Sequence, residues 1–345
     1  MKTAIFAYTK QGMKTAERIK NIFSADESIC YAPERLAEGC FDALKGNDIY
    51  GDRFADSDAM IFVGATGIAV RMIAPYIKSK TTDPAVICVD ELARHVVPIL
   101  SGHIGGANEI ARKLAKALGA TAFISTATDI NERFSVDSWA AKNGFYISDM
   151  AAAKKISAAI LESDIPLCSD FHIASGFPGG VYPGIAGELG ILISIYDKSP
   201  FKETLRLIPK VVTIGIGCRK GIEKEKIKEA VDDFLKKNRI DPHAIRHFAS
   251  IDLKKDEEGL NAFCRENEYE LKFYPAEELA EIKGSCSASD FVFQITGVDN
   301  VCERAALTGA DRLIEEKTVY SGITLAAAIT DIEISFEEEK KRYYG

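Results

Sequence analysis

A chain of 345 residues with 47% hydrophobic content has room for two or three packed domains. Its formal charge of −8 argues against a nucleic-acid binder, which carries a basic excess, and no apolar run is long enough to span a membrane. The eight cysteines are scattered with no CxxC pair, which suits a reducing cytoplasm and not a zinc or iron–sulfur framework.

Residues 3–8 read as a first strand, not as a secretion leader, because no small-residue cleavage pattern follows. Residues 14–23 form a helix with Ala16, Ile19 and Phe23 inward. Residues 58–63 are a second strand, ending in Gly64-Ala65-Thr66-Gly67 and a helix that carries Arg71 near its first turn. Residues 86–90 and 95–100 are close enough to pair as a hairpin. Ser101-Gly102-His103-Ile104-Gly105-Gly106-Ala107-Asn108-Glu109 follows. Then comes a helix with Ile110, Leu114 and Leu118 on one face and Gly119 as its stop. A short strand at 122–125 closes a first domain over residues 1–130. In such alternation ligands sit beyond the carboxyl ends of parallel strands, so both glycine turns are expected on one edge.

Residues 131–209 read as a middle linker or subdomain. It has helices at 134–142 and 150–161, a strand at 190–196, and a glycine- and proline-rich stretch at 175–184. That stretch is either an ordinary connector or a cover over a site. A second α/β domain spans 210–335: a strand at 211–214, the turn Gly215-Ile216-Gly217-Cys218-Arg219-Lys220-Gly221 and a helix at 222–237. Further helices follow at 258–266 and from 297–299 through 307, with strands at 269–273 and 322–329, and residues 336–345 form a solvated tail. The fold class is therefore α/β, two α/β domains with mostly parallel sheets joined by a smaller, variable middle segment.

Strand, glycine turn and helix N-terminus together offer N–H groups to an anion or a developing oxyanion. Three turns have that form. Gly64, Thr66 and Gly67 with Arg71 make the first; Ser101, Gly102, Gly105, Gly106 and Asn108 the second; Gly215, Gly217, Cys218, Arg219 and Gly221 the third. His103, between glycines at a helix start, is the candidate base, and Glu109 is either its partner or a cap on the helix dipole. The bland alternative for His103 is that it only holds the turn. Ser101-x-His103 is not a nucleophile–base dyad, and the GxSxG elbow is missing. The Gly215 pattern fits the dinucleotide fingerprint poorly, with no second strand or acidic residue where that motif wants them. His243 and His247 are spaced to share a helix face but have no third ligand, so no metal site is expected. His95 and His172 read as structural.

Three blocks resemble one family. They are 62–71 (FVGATGIAVR), 98–108 (PILSGHIGGAN), and Gly215 to Gly221 combined with 250–257 and 297–307. The chain resembles the CbiG family, the cobalt-precorrin-5A hydrolases of anaerobic vitamin B12 biosynthesis, over nearly its whole length. Arg304 stands where the usual pattern has proline. The resemblance implies a C-terminal domain also found alone in the aerobic pathway. It also implies opening of a δ-lactone on a ring-contracted cobalt corrinoid, with loss of a two-carbon unit as acetaldehyde to give cobalt-precorrin-5B. His103 and Glu109 are then the catalytic candidates, with Asp90 able to share proton handling. The turn residues named above bind substrate, and Arg71, Arg94 and Arg219 meet its carboxylates. No cofactor is implied, since the cobalt is carried by the substrate. The partner is that corrinoid, with no nucleic acid and no membrane, and a homodimer is left open. Two other readings stand: a corrinoid carrier without catalysis, and a nucleotide-dependent enzyme using the Gly215 turn.

Overall fold

The computed structural model describes residues 1–23, 27–46, 48–79, 82–103, 105–282 and 300–336, which fall into two units, Met1–Lys142 and Asn143–Gly345. In the first unit seven strands form one sheet: β1 (Thr3–Ala7), β2 (Ser28–Pro33), β3 (Phe41–Leu44), β4 (Ala59–Val63), β5 (Ala85–Val89), β6 (His95–Leu100) and β7 (Thr121–Ala122). Their order is β3-β2-β1-β4-β5-β6-β7. β1, β4 and β5 are buried at every position, as strands covered on both faces are. The covering helices are α1 (Lys10–Ile22), α2 (Asp48–Asp56), α3 (Thr66–Ile73) and α4 (Ala107–Leu118). Ile19 of α1 and Leu114 of α4 join Ile5, Ile61 and Ile87 on one face, while Tyr50 and Phe54 of α2 and Ile73 of α3 join Phe6 and Phe62 on the other. Two short helices, α5 (Ala127–Ile130) and α6 (Val136–Lys142), end the unit past the boundary expected at residue 130.

The expected hairpin is present, and it reverses β6: β5 and β6 are antiparallel, and β7 runs parallel to β6. This corrects the placement of the glycine turns on one edge. Gly64 donates its N–H to Val89 O at one end of β5, whereas the Ser101 hydroxyl donates to Asp83 O beyond the other end. A five-residue strand separates the two, about 15 Å at the usual strand rise.

The second unit contains more strands than its sequence suggests. β8 (Tyr146–Ile147), β9 (Ile165–Ser169), β10 (His172–Ile173), β11 (Val181–Pro183), β12 (Leu189–Ile193) and β13 (Glu203–Ile208) follow the first unit, with α7 (Met150–Ala159) between β8 and β9. All but β10 form a sheet in the order β11-β9-β12-β13-β8, so the middle segment has a five-stranded sheet of its own. The glycine- and proline-rich stretch supplies β11, paired with β9 as an edge strand, where a proline without an N–H is tolerated.

The remaining strands are β14 (Val212–Cys218), β15 (Ile245–Ile251), β16 (Leu271–Tyr274), β17 (Arg312–Tyr320), β18 (Ile323–Ile329) and β19 (Glu333–Ile334), the last pairing with β10. The other five form a sheet in the order β16-β15-β14-β18-β17. Helices α8 (Lys224–Asn238) and α9 (Glu258–Glu266) cover one face through Phe234 and Phe263. On the other face lie α10 (Ala276–Glu281) and α11 (Val301–Leu307). That face is built from small side chains, Ala249, Ala326 and Ala328 against Cys302, Ala305 and Ala306. Gly215 completes it: a Cβ there would lie 1.8 Å from the Cys302 carbonyl oxygen. Arg304 donates to the carbonyls of Leu279, Ala280 and Ile282 and so closes the C-terminal end of α10. The helix start expected at 297–299 and tail residues 337–345 lie outside the described residues.

Candidate active site

The loop between β6 and α4 is held by its own backbone. The N–H groups of Gly106, Ala107 and Asn108 donate to the carbonyls of His103, Ser101 and Gly102 at 2.9, 3.1 and 3.0 Å. They are therefore occupied, which corrects the expectation of an open anion cradle at this helix end. The loop is tight enough to need its glycines. A Cβ on Gly105 would lie 2.4 Å from Ser101 Cβ, and one on Gly102 would lie 2.8 Å from Asn108 Oδ1. Gly106 has φ +79° and Ser101, a non-glycine, has φ +56°. Strained backbone of this kind, costing about 1–3 kcal/mol, persists where its surroundings over-determine it. Here the buried Ser101 hydroxyl donates to Asp83 O at 2.9 Å.

What the loop presents is His103, about one-fifth exposed and set between two carboxylates. Nε2 lies 3.3 Å from Asp129 Oδ2 and 3.2 Å from Thr128 Oγ1, while Nδ1 lies 3.6 Å from Asp137 Oδ1. Asp129 also accepts from Asn108 Nδ2 at 2.9 Å and from the Arg112 guanidinium at 2.5 Å. Burial pushes the Asp129 carboxyl up, but Arg112 and then His103 outweigh it and hold it below the ordinary range. Asp129 is therefore an ionised acceptor at neutral pH.

His103, Asp137, Asn108, Ser125 and Thr126 line a cavity of about 260 Å³ whose floor is the end of β6. Asp129 and Thr128 stand behind the imidazole, outside that lining. Since β6, α4 and β7 form a parallel crossover, both strands deliver their loops to this edge. Asp129 and Asp137 are the residues that sequence reading missed. For Asp129 the signal is the polar run Ser125-Thr126-Ala127-Thr128-Asp129 just after the short strand; Asp137 lies beyond it, on α6.

Glu109 is not part of this cluster. It is exposed on α4 and lies 3.3 Å from Lys142 Nζ. Gly64, Thr66 and Gly67 stand at the opposite edge of the sheet, and Arg71 lies in the last turn of α3, not its first. Asp90 is taken up by the hairpin, where its carboxylate accepts the N–H groups of Leu92, Arg94 and His95. In the second unit Gly215 and Gly217 lie inside β14, so they do not form a phosphate-type turn, and the Gly221 N–H is bonded to Glu257 at 2.9 Å. A second strand, β15, does follow α8, contrary to expectation. Cys218 and Arg219 line a separate cavity of about 580 Å³. His243 sits in a 3-10 turn and His247 in β15, so they share no helix face. Among the described residues no cluster of three or more His, Cys, Asp or Glu side chains is arranged to hold a metal ion.

Comparison with known proteins bears on both units. A family model described as Cobalamin synthesis G N-terminal matches residues 48–129, and one described as Cobalamin synthesis G C-terminus matches residues 212–328. The chain is 32% identical over 343 residues to a Salmonella typhimurium protein named cobalt-precorrin-5A hydrolase, covering 94% of this chain and 97% of that one. A Priestia megaterium protein of the same name is 29% identical over 357 residues, covering 94% of each. Among solved structures, a cobalamin biosynthesis protein G homolog from Sulfolobus solfataricus is 24% identical across 95% of this chain and 97% of that chain, with a TM-score of 0.42.

Proposed function

The chain belongs to the CbiG family of cobalt-precorrin-5A hydrolases, and from that premise we propose that it opens the δ-lactone of cobalt-precorrin-5A at the His103 cavity. The cobalt is the substrate's own. The observation that carries the assignment of the cavity is one imidazole with an ionised carboxylate behind it and a second carboxylate beside its other nitrogen. Asp129 accepts from Nε2–H, which fixes the tautomer and leaves the Nδ1 lone pair on the side of Asp137 and the cavity. The same division of labour, an orienting carboxylate behind a basic imidazole, serves general-base catalysis elsewhere.

Water in the cavity gives its proton to Nδ1 as its oxygen adds to the lactone carbonyl. The acyl C–O bond then breaks, and the imidazolium returns the proton to the departing alkoxide. Thr126 Oγ1 accepts from Asn108 Nδ2 at 2.8 Å, so its own O–H is available to the developing oxyanion. In the second step the freed hydroxyl of the two-carbon unit loses its proton. Its C–O becomes C=O, the bond to the macrocycle breaks with the electron pair staying on the ring, and acetaldehyde leaves. Substrate plus water thus balances product plus acetaldehyde, with no oxidant or reductant. The seven described cysteines that are free thiols support action in the reducing cytoplasm.

Turnover in oxygen-18 water tests the bond that breaks. One label is expected in the product's side-chain carboxylate, read from the mass of the macrocycle. An unlabelled macrocycle would exclude attack of water at the acyl carbon.

A further inference from the structure

The sheet of the first unit ends at β3, and the chain reaches that edge by a short route. β2 and β3 run parallel, with Cys30 beside Phe41 and Tyr31 beside Asp42. The connection between them is residues 34–40, where a parallel crossover usually takes about a dozen or more. It is held by tight turns. Leu36 and Ala37 donate their N–H groups to Pro33 O at 2.7 and 3.0 Å, and Phe41 donates to Glu38 O at 3.2 Å. So short a return sets Cys40, the residue before Phe41, next to Cys30. With ordinary strand spacing and rise their Cα atoms lie about 6 Å apart, inside the roughly 4.4–6.8 Å that a disulfide spans.

The two thiols meet. Cys30 and Cys40 share a side-chain hydrogen bond, and both are free. Their surroundings differ. Cys30 is fully buried in the core that Ala16 and Ile19 of α1 cover, together with Ala32 and Phe41, whereas Cys40 is exposed to solvent. Burial pushes the Cys30 thiol up to about 12, against the pull of Lys20 on α1. An oxidant arriving from solvent therefore meets Cys40 first, with Cys30 held behind it. An exposed thiol beside a second, resolving one is the arrangement of a redox-responsive pair.

We propose that Cys30 and Cys40 are a modification site, at which a hydroperoxide closes a disulfide that ties β3 to β2. The Cys40 sulfur attacks one oxygen of the peroxide, the O–O bond breaks, and water leaves as Cys40 becomes a sulfenic acid. The Cys30 sulfur then attacks the Cys40 sulfur, the S–O bond breaks, and the Cys30 proton leaves with the hydroxide as water. Two thiols and one hydrogen peroxide thus give one disulfide and two waters, the sulfurs oxidised and the peroxide oxygens reduced. A thiol reductant reverses the bond. The pair sits at the β3 end of the sheet and the His103 cavity at the end of β6, so the site is separate from the hydrolytic reaction.

The test treats the reduced full chain with hydrogen peroxide, blocks the remaining thiols with an alkylating agent and digests with trypsin in the absence of reductant. Cleavage after Lys20, Arg35 and Lys45 puts Cys30 in peptide 21–35 and Cys40 in peptide 36–45. Mass spectrometry is expected to find the two joined, two hydrogens lighter than their sum, and apart again after dithiothreitol. Closing this loop is expected to raise the midpoint of thermal unfolding by several degrees. Cys40→Ser, a substitution at an exposed position, is expected to lose both the linked peptide and the shift, and Cys30→Ala gives the same reading from the buried side. Peptide 21–35 recovered alkylated, with Cys40 ending as a sulfinic acid or joined to Cys40 of a second copy, overturns the proposal. A linked pair with an unchanged midpoint overturns the tie between β2 and β3.

Discussion

His103 owes its chemistry to residues that are distant in sequence. Asp129 reaches it through Nε2, and Arg112 keeps Asp129 ionised. Asp129→Asn is expected to lower kcat by about 10²–10⁴, because the amide no longer selects the tautomer that leaves Nδ1 basic. Glu109→Gln is expected to stay within about twofold of wild type, since its partner is the exposed Lys142. Equal losses in the two variants, each with an unchanged circular dichroism spectrum, would contradict these roles. The phase of α4 already held this distinction. Ala111, Leu114 and Ala115 define its buried face, and Asn108 falls on that face while Glu109 falls outside with Arg112.

His247 makes a separate prediction at this scale. It is 3% exposed on β15, and neither ring nitrogen has a hydrogen-bond partner among the described residues. Burial, aided by Lys272 and Arg246 and opposed by Glu270, lowers its pKa from 6.5 to about 4. Between these values the unfolded chain binds the extra proton, so stability falls as pH drops through that window. The full cost is about 3 kcal/mol. Urea unfolding at pH 7 and pH 5 is expected to show this decline, and His247→Leu to remove most of it. An unchanged decline in the variant would assign the effect to other groups.

Among the elements, the contact of α11 on β14 shows why a glycine pattern misleads. Read as sequence, Gly215-x-Gly217 after a strand looks like a phosphate turn. In the fold β14 runs on through both, and Gly215 faces α11 across a layer of alanines. A side chain here meets backbone, which cannot swing aside. Gly215→Ala is expected to destabilise the second unit by about 3 kcal/mol or more, seen as a lower midpoint in thermal unfolding. A midpoint equal to wild type would mean that α11 is not seated against β14. The β6–α4–β7 crossover is the opposite case. Its strand, loop and amphipathic helix were legible because they are contiguous. The reversal of β6, which sends the Gly64 turn to the other edge, follows from the hairpin, whereas the two glycine turns look alike as sequence.

Across the molecule, the alternation of strands and helices was legible in β1, β4, β14 and β18, where apolar runs are long and buried, but not in β15, where Arg246 and His247 interrupt the apolar run. The middle segment was less so: β8, β10 and β11 are two or three residues long and too short to show periodicity, and the longer β9 and β13 carry Pro166 and Arg206 among their apolar residues. The candidate site was half legible. The loop carrying His103 is one stretch of sequence, whereas its two carboxylates return from α5 and α6 after the chain has passed through β7. The central claim is that this loop hydrolyses a cobalt corrinoid lactone. The most direct test is anaerobic incubation of the protein with cobalt-precorrin-5A, with the volatile aldehyde trapped as its hydrazone. Acetaldehyde equal in amount to the substrate consumed is expected from the wild type, and a rate lower by about 10²–10⁴ from a folded His103→Ala variant. Acetaldehyde released at the wild-type rate by that variant, or none released by the wild type, would contradict the account.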